Sequence, residues 1–205
     1  MALLSTESPN LAGLLQCLDV EVLWHPSLSN GSPKAYAALL EALRSGEQRL
    51  DILCVEGAII RGPGGTGMYD MLGDQPKKNT VAALAKRADV VLAVGTCASF
   101  GGIGADGDVE ATGLQFHKGD MGGFLGADFV SHAGLPVINL PGCPCHCDVV
   151  AGTLGAYAAG VALPLSKFNS PQQWYGLLVH QGCVRNEYHE YRVEERDFGE
   201  KGCLF

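Results

Sequence analysis

The residues best equipped for chemistry lie in one stretch, Asn139-Leu140-Pro141-Gly142-Cys143-Pro144-Cys145-His146-Cys147. Three thiols and an imidazole fall within five consecutive positions. Such donors are soft to borderline ligands, which suit iron–sulfur clusters, zinc or copper(I) and suit magnesium or calcium poorly. The two prolines and the glycine keep the segment out of helix and hold it as a fixed loop, as a ligand loop requires. A tight turn of small buried residues is the competing reading, since a free cysteine is often simply buried. Three cysteines at alternate positions beside a histidine favour ligation. Further on, His180-Gln181-Gly182-Cys183 and the remote Cys203 also have metal-ligand spacing. A capping histidine with a core cysteine accounts for those residues equally well.

The elements that must position these side chains alternate in kind. Leucines around Pro9, which follows Ser8, predict a helix starting near Pro9. Val20–Trp24 predicts a short strand. Pro33 to Leu43 reads as a helix, with Pro33 in its first turn after Ser32, Leu39, Leu40 and Leu43 on one face, and Gly46 ending it. Leu50–Val55, Asp89–Val94 and Pro136–Leu140 are apolar runs bounded by turn residues, the pattern of buried parallel strands. Lys78–Ala88 and the Ala/Gly-rich Asp148–Ala162 read as helices between and after them. The implied fold is α/β, a parallel sheet flanked by helices. Ligands of such sheets sit outside the carboxyl ends of the strands, where Glu56, Cys97 and Cys143 all fall. Periodicity alone thus gathers two distant cysteines and a carboxylate on one edge. The glycine-rich Arg61–Gly67 segment is followed by neither the lysine nor the helix start of a phosphate loop. Cys17 and Cys54 are assigned to the apolar core, His25 to a loop hydrogen bond, and His117, His132 and His189 to solvent.

Composition sets outer limits. A chain of 205 residues fits one domain, or one domain with a tail. Hydrophobic residues make up 47% and charged ones 18%, so much of the chain is inside and part of its surface suits a covering partner. The net charge is -8 with no basic block, which excludes the clustered lysines and arginines of nucleic-acid binding. No apolar run reaches the roughly 20 residues that span a bilayer, and Met1 opens no signal sequence; the expected location is cytoplasmic. Eight cysteines are too many for ordinary packing, and a chain of this size does not need a disulfide framework. From Ser166 the sequence grows richer in aromatics and charges, among them Trp174, Tyr188 and Phe198.

Gly95-Thr96-Cys97-Ala98 paired with Pro141-Gly142-Cys143-Pro144, followed by His180-x-x-Cys183 and Gly202-Cys203-Leu204, resembles the small subunit of nickel–iron hydrogenases. Leu23-Trp24-His25-Pro26-Ser27-Leu28, Glu56-Gly57, Gly65-Thr66-Gly67, Gly122-Gly123-Phe124-Leu125-Gly126 and Gly134-Leu135-Pro136-Val137-Ile138-Asn139 fall in the family's order across essentially the whole chain. Trp24-His25-Pro26 and Arg185-Asn186-Glu187-Tyr188 are most similar to its soluble uptake and hydrogen-sensing branches. The resemblance implies a flavodoxin-like domain over residues 1–165, carrying a proximal 4Fe–4S cluster on Cys97 and Cys143. It implies an irregular segment from 166 to 205 that begins a distal 4Fe–4S site on His180, Cys183 and Cys203. It also implies a heterodimer with a large subunit that oxidises hydrogen, and a downstream electron acceptor or signalling partner. Glu56 matches an acidic residue near the proximal cluster, with proton handling or helix capping as its two roles.

The departures from the family pattern are specific. Four thiolates are needed for a proximal cluster, and the family supplies two from a Cys-x-x-Cys loop that the sequence does not contain upstream of Leu3-Leu4-Ser5. The last distal ligand and the medial-cluster cysteines, which follow Gly202-Cys203-Leu204-Phe205 in the family, do not occur either. The expectation is a small subunit truncated at both ends. Cys147 stands where relatives usually have proline. One reading has Cys145 and Cys147 replacing the missing N-terminal pair as iron ligands. Against it, Cys143, Cys145 and Cys147 share one short loop whereas a cubane is approached from several sides, and the plainer reading is incidental thiols or a zinc site. Incomplete ligand sets leave a second class of function, a non-redox remnant acting as scaffold or zinc-binding protein. The related quinone-reductase subunit of respiratory complex I shares the fold but lacks the His180-x-x-Cys183 tail.

Overall fold

A computed structural model of the chain describes residues 9–195, 197, 202 and 203, the side chains of Leu11 and His180 excepted. Leu3, Leu4, Phe198, Leu204 and Phe205 lie outside the described residues. The central sheet contains β1 (Ile52–Glu56), β2 (Val90–Val94) and β3 (Ile138–Leu140), all parallel and in that spatial order. Strand β2 is apolar throughout because both of its faces are covered. Val91 and Ala93, with Val55 of β1, pack against Val81 and Ala85 of α3 (Lys77–Ala85). Val90 and Leu92, with Ile138 and Leu140, pack against Val150 and Leu154 of α5 (Cys147–Ala158). The α/β class and the parallel sheet between helices are as the sequence implies.

The helices confirm local chemistry with small shifts. In α2 (Pro33–Ser45), Ser32 Oγ accepts from the Ala35 amide at 3.2 Å and Gly46 closes the helix in the left-handed region at φ +86°. Helix α1 (Leu11–Cys17) starts two residues after Pro9, with the Asn10 carboxamide accepting from the Gly13 amide at 2.9 Å; Ser8 lies outside the described residues. The irregular stretch before β3 is pinned by a buried side chain, Gln115. Its Nε2 donates to the carbonyls of Ala127 and Phe129, each at 2.9 Å, and its Oε1 accepts from the Val137 amide at 2.9 Å.

Two sequence expectations fail here. Val20–Trp24 is not a strand, and the sheet has three strands instead of four. A strand exists only with a ladder partner for its amides and carbonyls, and among the described residues nothing pairs with the outer side of β1. The indole of Trp24 instead stacks on Tyr36 with centroids 4.6 Å apart. Cys17 and Cys54 are exposed, not core. Alternation puts Cys54 on the face opposite Leu53 and Val55, at the open margin of the sheet. Among the described residues no helix is long and apolar enough to cross a membrane.

Candidate metal centre

The register of the sheet sets the geometry of the site. Glu56 is level with Val94, and Val94 with Leu140, so the three strands end at one height. The loops that leave β2 and β3 are then stitched together. The Gly95 amide donates to the Leu140 carbonyl at 2.8 Å and the Thr96 amide to the Gly142 carbonyl at 3.0 Å. In return Thr96 Oγ1 accepts from the Gly142 amide at 3.0 Å. Cys97 and Cys143 are the next residues along these two loops, and exposed Glu56 shares their edge.

Cys97 is half-buried in the first turn of α4 (Thr96–Phe100). Its sulfur lies over Gly102, where a Cβ would come within 2.6 Å of it, and Gly102 has φ +64°. The glycine is what clears room for the sulfur. Cys143 is exposed. The turn before it depends on Gly142, at φ +151°, where a Cβ would meet the Pro144 carbonyl at 2.7 Å.

The two extra thiols of this loop part company. Cys145 is 3% exposed and packs with the β3 side of the core. Its sulfur is 3.9 Å from the Tyr175 hydroxyl, which donates to the Pro141 carbonyl at 2.8 Å. Burial pushes the Cys145 thiol up, against thiolate formation, and burial beside Cys145 raises the Tyr175 phenol as well. Tyr175, at the end of α6 (Gln172–Tyr175), thus clamps the loop from 34 residues away. Its partner is too distant for sequence pattern to reveal it. Cys147 opens α5 and is partly exposed, its sulfur 3.7 Å from Asp148 Oδ1.

The tail carries the second set of candidate ligands that the sequence singles out. His180 lies on α7 (Val179–Gly182), its side chain outside the described residues, and Cys183 follows directly. Cys183 Sγ accepts from the Arg185 amide at 3.4 Å, and the Arg185 guanidinium donates to the Gly202 carbonyl at 3.1 Å. Cys203, 5% exposed, is held by its amide to the Val193 carbonyl at 3.0 Å and its carbonyl to the Glu195 amide at 2.8 Å. Its sulfur is 3.9 Å from Nδ1 of His189 on α8 (Asn186–Glu190). His189 is therefore not a solvated histidine, and Arg185 is a link between the two cysteine segments that spacing did not reveal. His132 is exposed, as expected, but has a partner the sequence did not reveal, with Nδ1 2.8 Å from Asp89 Oδ1. His117 buries an Nδ1 that has no partner among the described residues. His25 holds its loop as expected, accepting from the Ser27 amide at 3.1 Å.

The glycine-rich loop is closed by the protein itself. Lys78 Nζ donates to the Gly65 carbonyl at 2.7 Å, and the Gly65 amide donates to Glu110 at 3.2 Å. Both groups that would greet a phosphate are already engaged. On the sheet edge, two thiols on adjoining loops, with space cleared at one sulfur, are chemically suited to one side of an iron–sulfur cluster, for which they would be half of the four ligands.

A family model described as NADH ubiquinone oxidoreductase, 20 kDa subunit, matches residues 1–157. The small subunit of the F420 non-reducing hydrogenase I of Methanosarcina mazei is 33% identical over 233 residues, covering 100% of this chain and 58% of the relative. The small subunit 1 of the periplasmic NiFe hydrogenase of Nitratidesulfovibrio vulgaris is 32% identical over 154 residues, 74% of this chain and 44% of the relative. The actinobacterial-type NiFe-hydrogenase of Ralstonia eutropha H16 superposes with a TM-score of 0.81 at 26% identity, over 99% of this chain and 62% of that one. The chain spans under two thirds of the length of each of these relatives. With the family model matched across the sheet domain and hydrogenase subunits matched through the tail, the chain belongs to the NADH ubiquinone oxidoreductase 20 kDa subunit family, as a nickel–iron hydrogenase small subunit.

Proposed function

We propose that this chain is the iron–sulfur electron-transfer part of a nickel–iron hydrogenase, relaying electrons from hydrogen oxidised on a partner large subunit. The observation that carries the reading is the level ending of β2 and β3, with the reciprocal Thr96–Gly142 hydrogen bonds that set Cys97 beside the Cys143 loop. Cys97 and Cys143 hold the proximal 4Fe–4S cluster, and His180, Cys183 and Cys203 the distal one. Bound clusters supply one-electron redox chemistry, and the protein sets burial, position and hydrogen bonding. Gly102 keeps space at the Cys97 sulfur, Tyr175 fixes the Pro141–Cys143 turn, and the Arg185 link holds Cys203 near Cys183. Glu56, on the same edge as Cys97, is assigned to proton handling there. Leu177, Leu178 and Val179 are 71%, 71% and 76% exposed next to the distal ligands, apolar surface that suits the large subunit. Electrons leave through the distal site to an acceptor or signalling partner.

The test is iron and acid-labile sulfide per chain, with an electron paramagnetic resonance spectrum, on protein made anaerobically. About four irons or more with a cubane signal, lost in Cys97→Ser and Cys143→Ser, is the expected result. No iron, or zinc in its place, overturns the relay and leaves a scaffold or zinc-binding protein.

A further inference from the structure

Outside the two ligand groups already described, one cluster combines three kinds of metal donor. The thiol of Cys147, the ring of His146 and the carboxylate of Asp148 each offer a ligand atom, and these atoms lie within 4.8 Å of one another. Asp148 is the hinge of the set, with Oδ2 3.7 Å from His146 Nδ1 and Oδ1 3.7 Å from Cys147 Sγ. Tetrahedral zinc with bonds of about 2.0–2.3 Å places its ligand atoms roughly 3.3–3.8 Å apart. His146 and Cys147 each already lie at such a distance from one of the two Asp148 oxygens, and one ligand atom from each of the three residues falls within 4.8 Å of the others. The His146 and Asp148 side chains are 71% and 80% exposed, so the remaining adjustment is a turn of exposed side chains. The Asp148 amide donates to His146 Nδ1 at 3.3 Å, a long bond that a metal replaces at little cost.

We infer that His146, Cys147 and Asp148 form a binding site for one divalent ion of the zinc class, with water completing a tetrahedron. Nitrogen, sulfur and oxygen donors together select zinc or cobalt(II) over magnesium and calcium. Thiolate and carboxylate neutralise the ion's two charges, and the Cys147 thiol releases its proton to solvent as the metal binds. Cys145 takes no part, because its sulfur is turned into the core against Tyr175. Cys143 takes no part either, and the site is filled without removing a ligand from the strand-end pair.

The experiment uses the full chain, reduced, stripped of metal anaerobically and titrated with cobalt(II), read by thiolate-to-cobalt absorption in the near ultraviolet and by displacement with zinc. Wild-type protein is expected to bind one equivalent more than Cys147→Ser. That equivalent persists in the Cys97→Ser/Cys143→Ser double variant. His146→Asn, which keeps a good helix cap and removes the imidazole, weakens it at least tenfold, and circular dichroism checks that each variant folds. An unchanged titration in Cys147→Ser, an unchanged affinity in His146→Asn, or loss of the equivalent in the double variant overturns the site. None of these failures touches the cluster reading, whose measure is iron.

Discussion

A metal site is decided by where a few atoms can go, and at the scale of single residues the chain leaves little slack. Gly102 faces the Cys97 sulfur at a distance that admits no methyl group, in a backbone conformation that favours glycine. Gly102→Ala is expected to cost about 1–2 kcal/mol from the left-handed backbone alone. It also displaces the sulfur, so iron content falls together with the urea midpoint. Tyr175→Phe removes the donor to the Pro141 carbonyl and is expected to lower stability by about 1 kcal/mol in the same titration. An unchanged midpoint would mean that the loop holds itself. Cys97 and Cys143 were legible because each stands just past an apolar run, where parallel sheets gather their ligands. The different fates of Cys145 and Cys147 were not, since alternate positions in a loop look alike until α5 begins at the second of them. Tyr175 and His189 stayed hidden because their partners are remote in sequence.

At the scale of elements, legibility follows the reach of the interactions. Helix α2 could be read almost residue by residue, because serine cap, first-turn proline and terminal glycine all act within one turn. Strand β2 could be read because a strand covered on both faces is apolar without interruption. Val20–Trp24 has the composition of a strand and is not one, because strand formation belongs to the pair and not to the segment. The same asymmetry runs through the sheet. Leu92, in the central strand, is 1% exposed against α5, whereas β1 is paired on one side only among the described residues. Leu92→Ala is expected to cost about 2–5 kcal/mol in a denaturant titration. Amide exchange should be slowest along β2 and faster in β1, and the reverse order would contradict the strand arrangement.

At the scale of the whole molecule, the two ends of the sheet do different work. The carboxyl ends carry Cys97 and Cys143, and the opposite end carries an ion network. There Asp89, just before β2, meets Arg49 at 2.9 Å and His132 at 2.8 Å, and its backbone carbonyl accepts from Ser131 Oγ at 2.7 Å. The hydrogen bond from Arg49, and after it that from His132, hold the Asp89 carboxyl below its usual range. A carboxylate whose pKa is depressed by folding stabilises the native state fully above its unfolded pKa of about 3.9. That contribution disappears as pH falls from there through the lower folded value. Asp89→Asn should therefore flatten the acid limb of a stability–pH profile below about pH 4 while lowering stability at neutral pH. Iron content should not change, because the five residues of β2 separate Asp89 from the cysteine edge by about 17 Å. Cys97→Ser should show the converse, an intact acid limb with the iron gone. If Asp89→Asn removed iron, the sheet would be transmitting strain from one end to the other, and the cysteine loops would depend on more than their own hydrogen bonds.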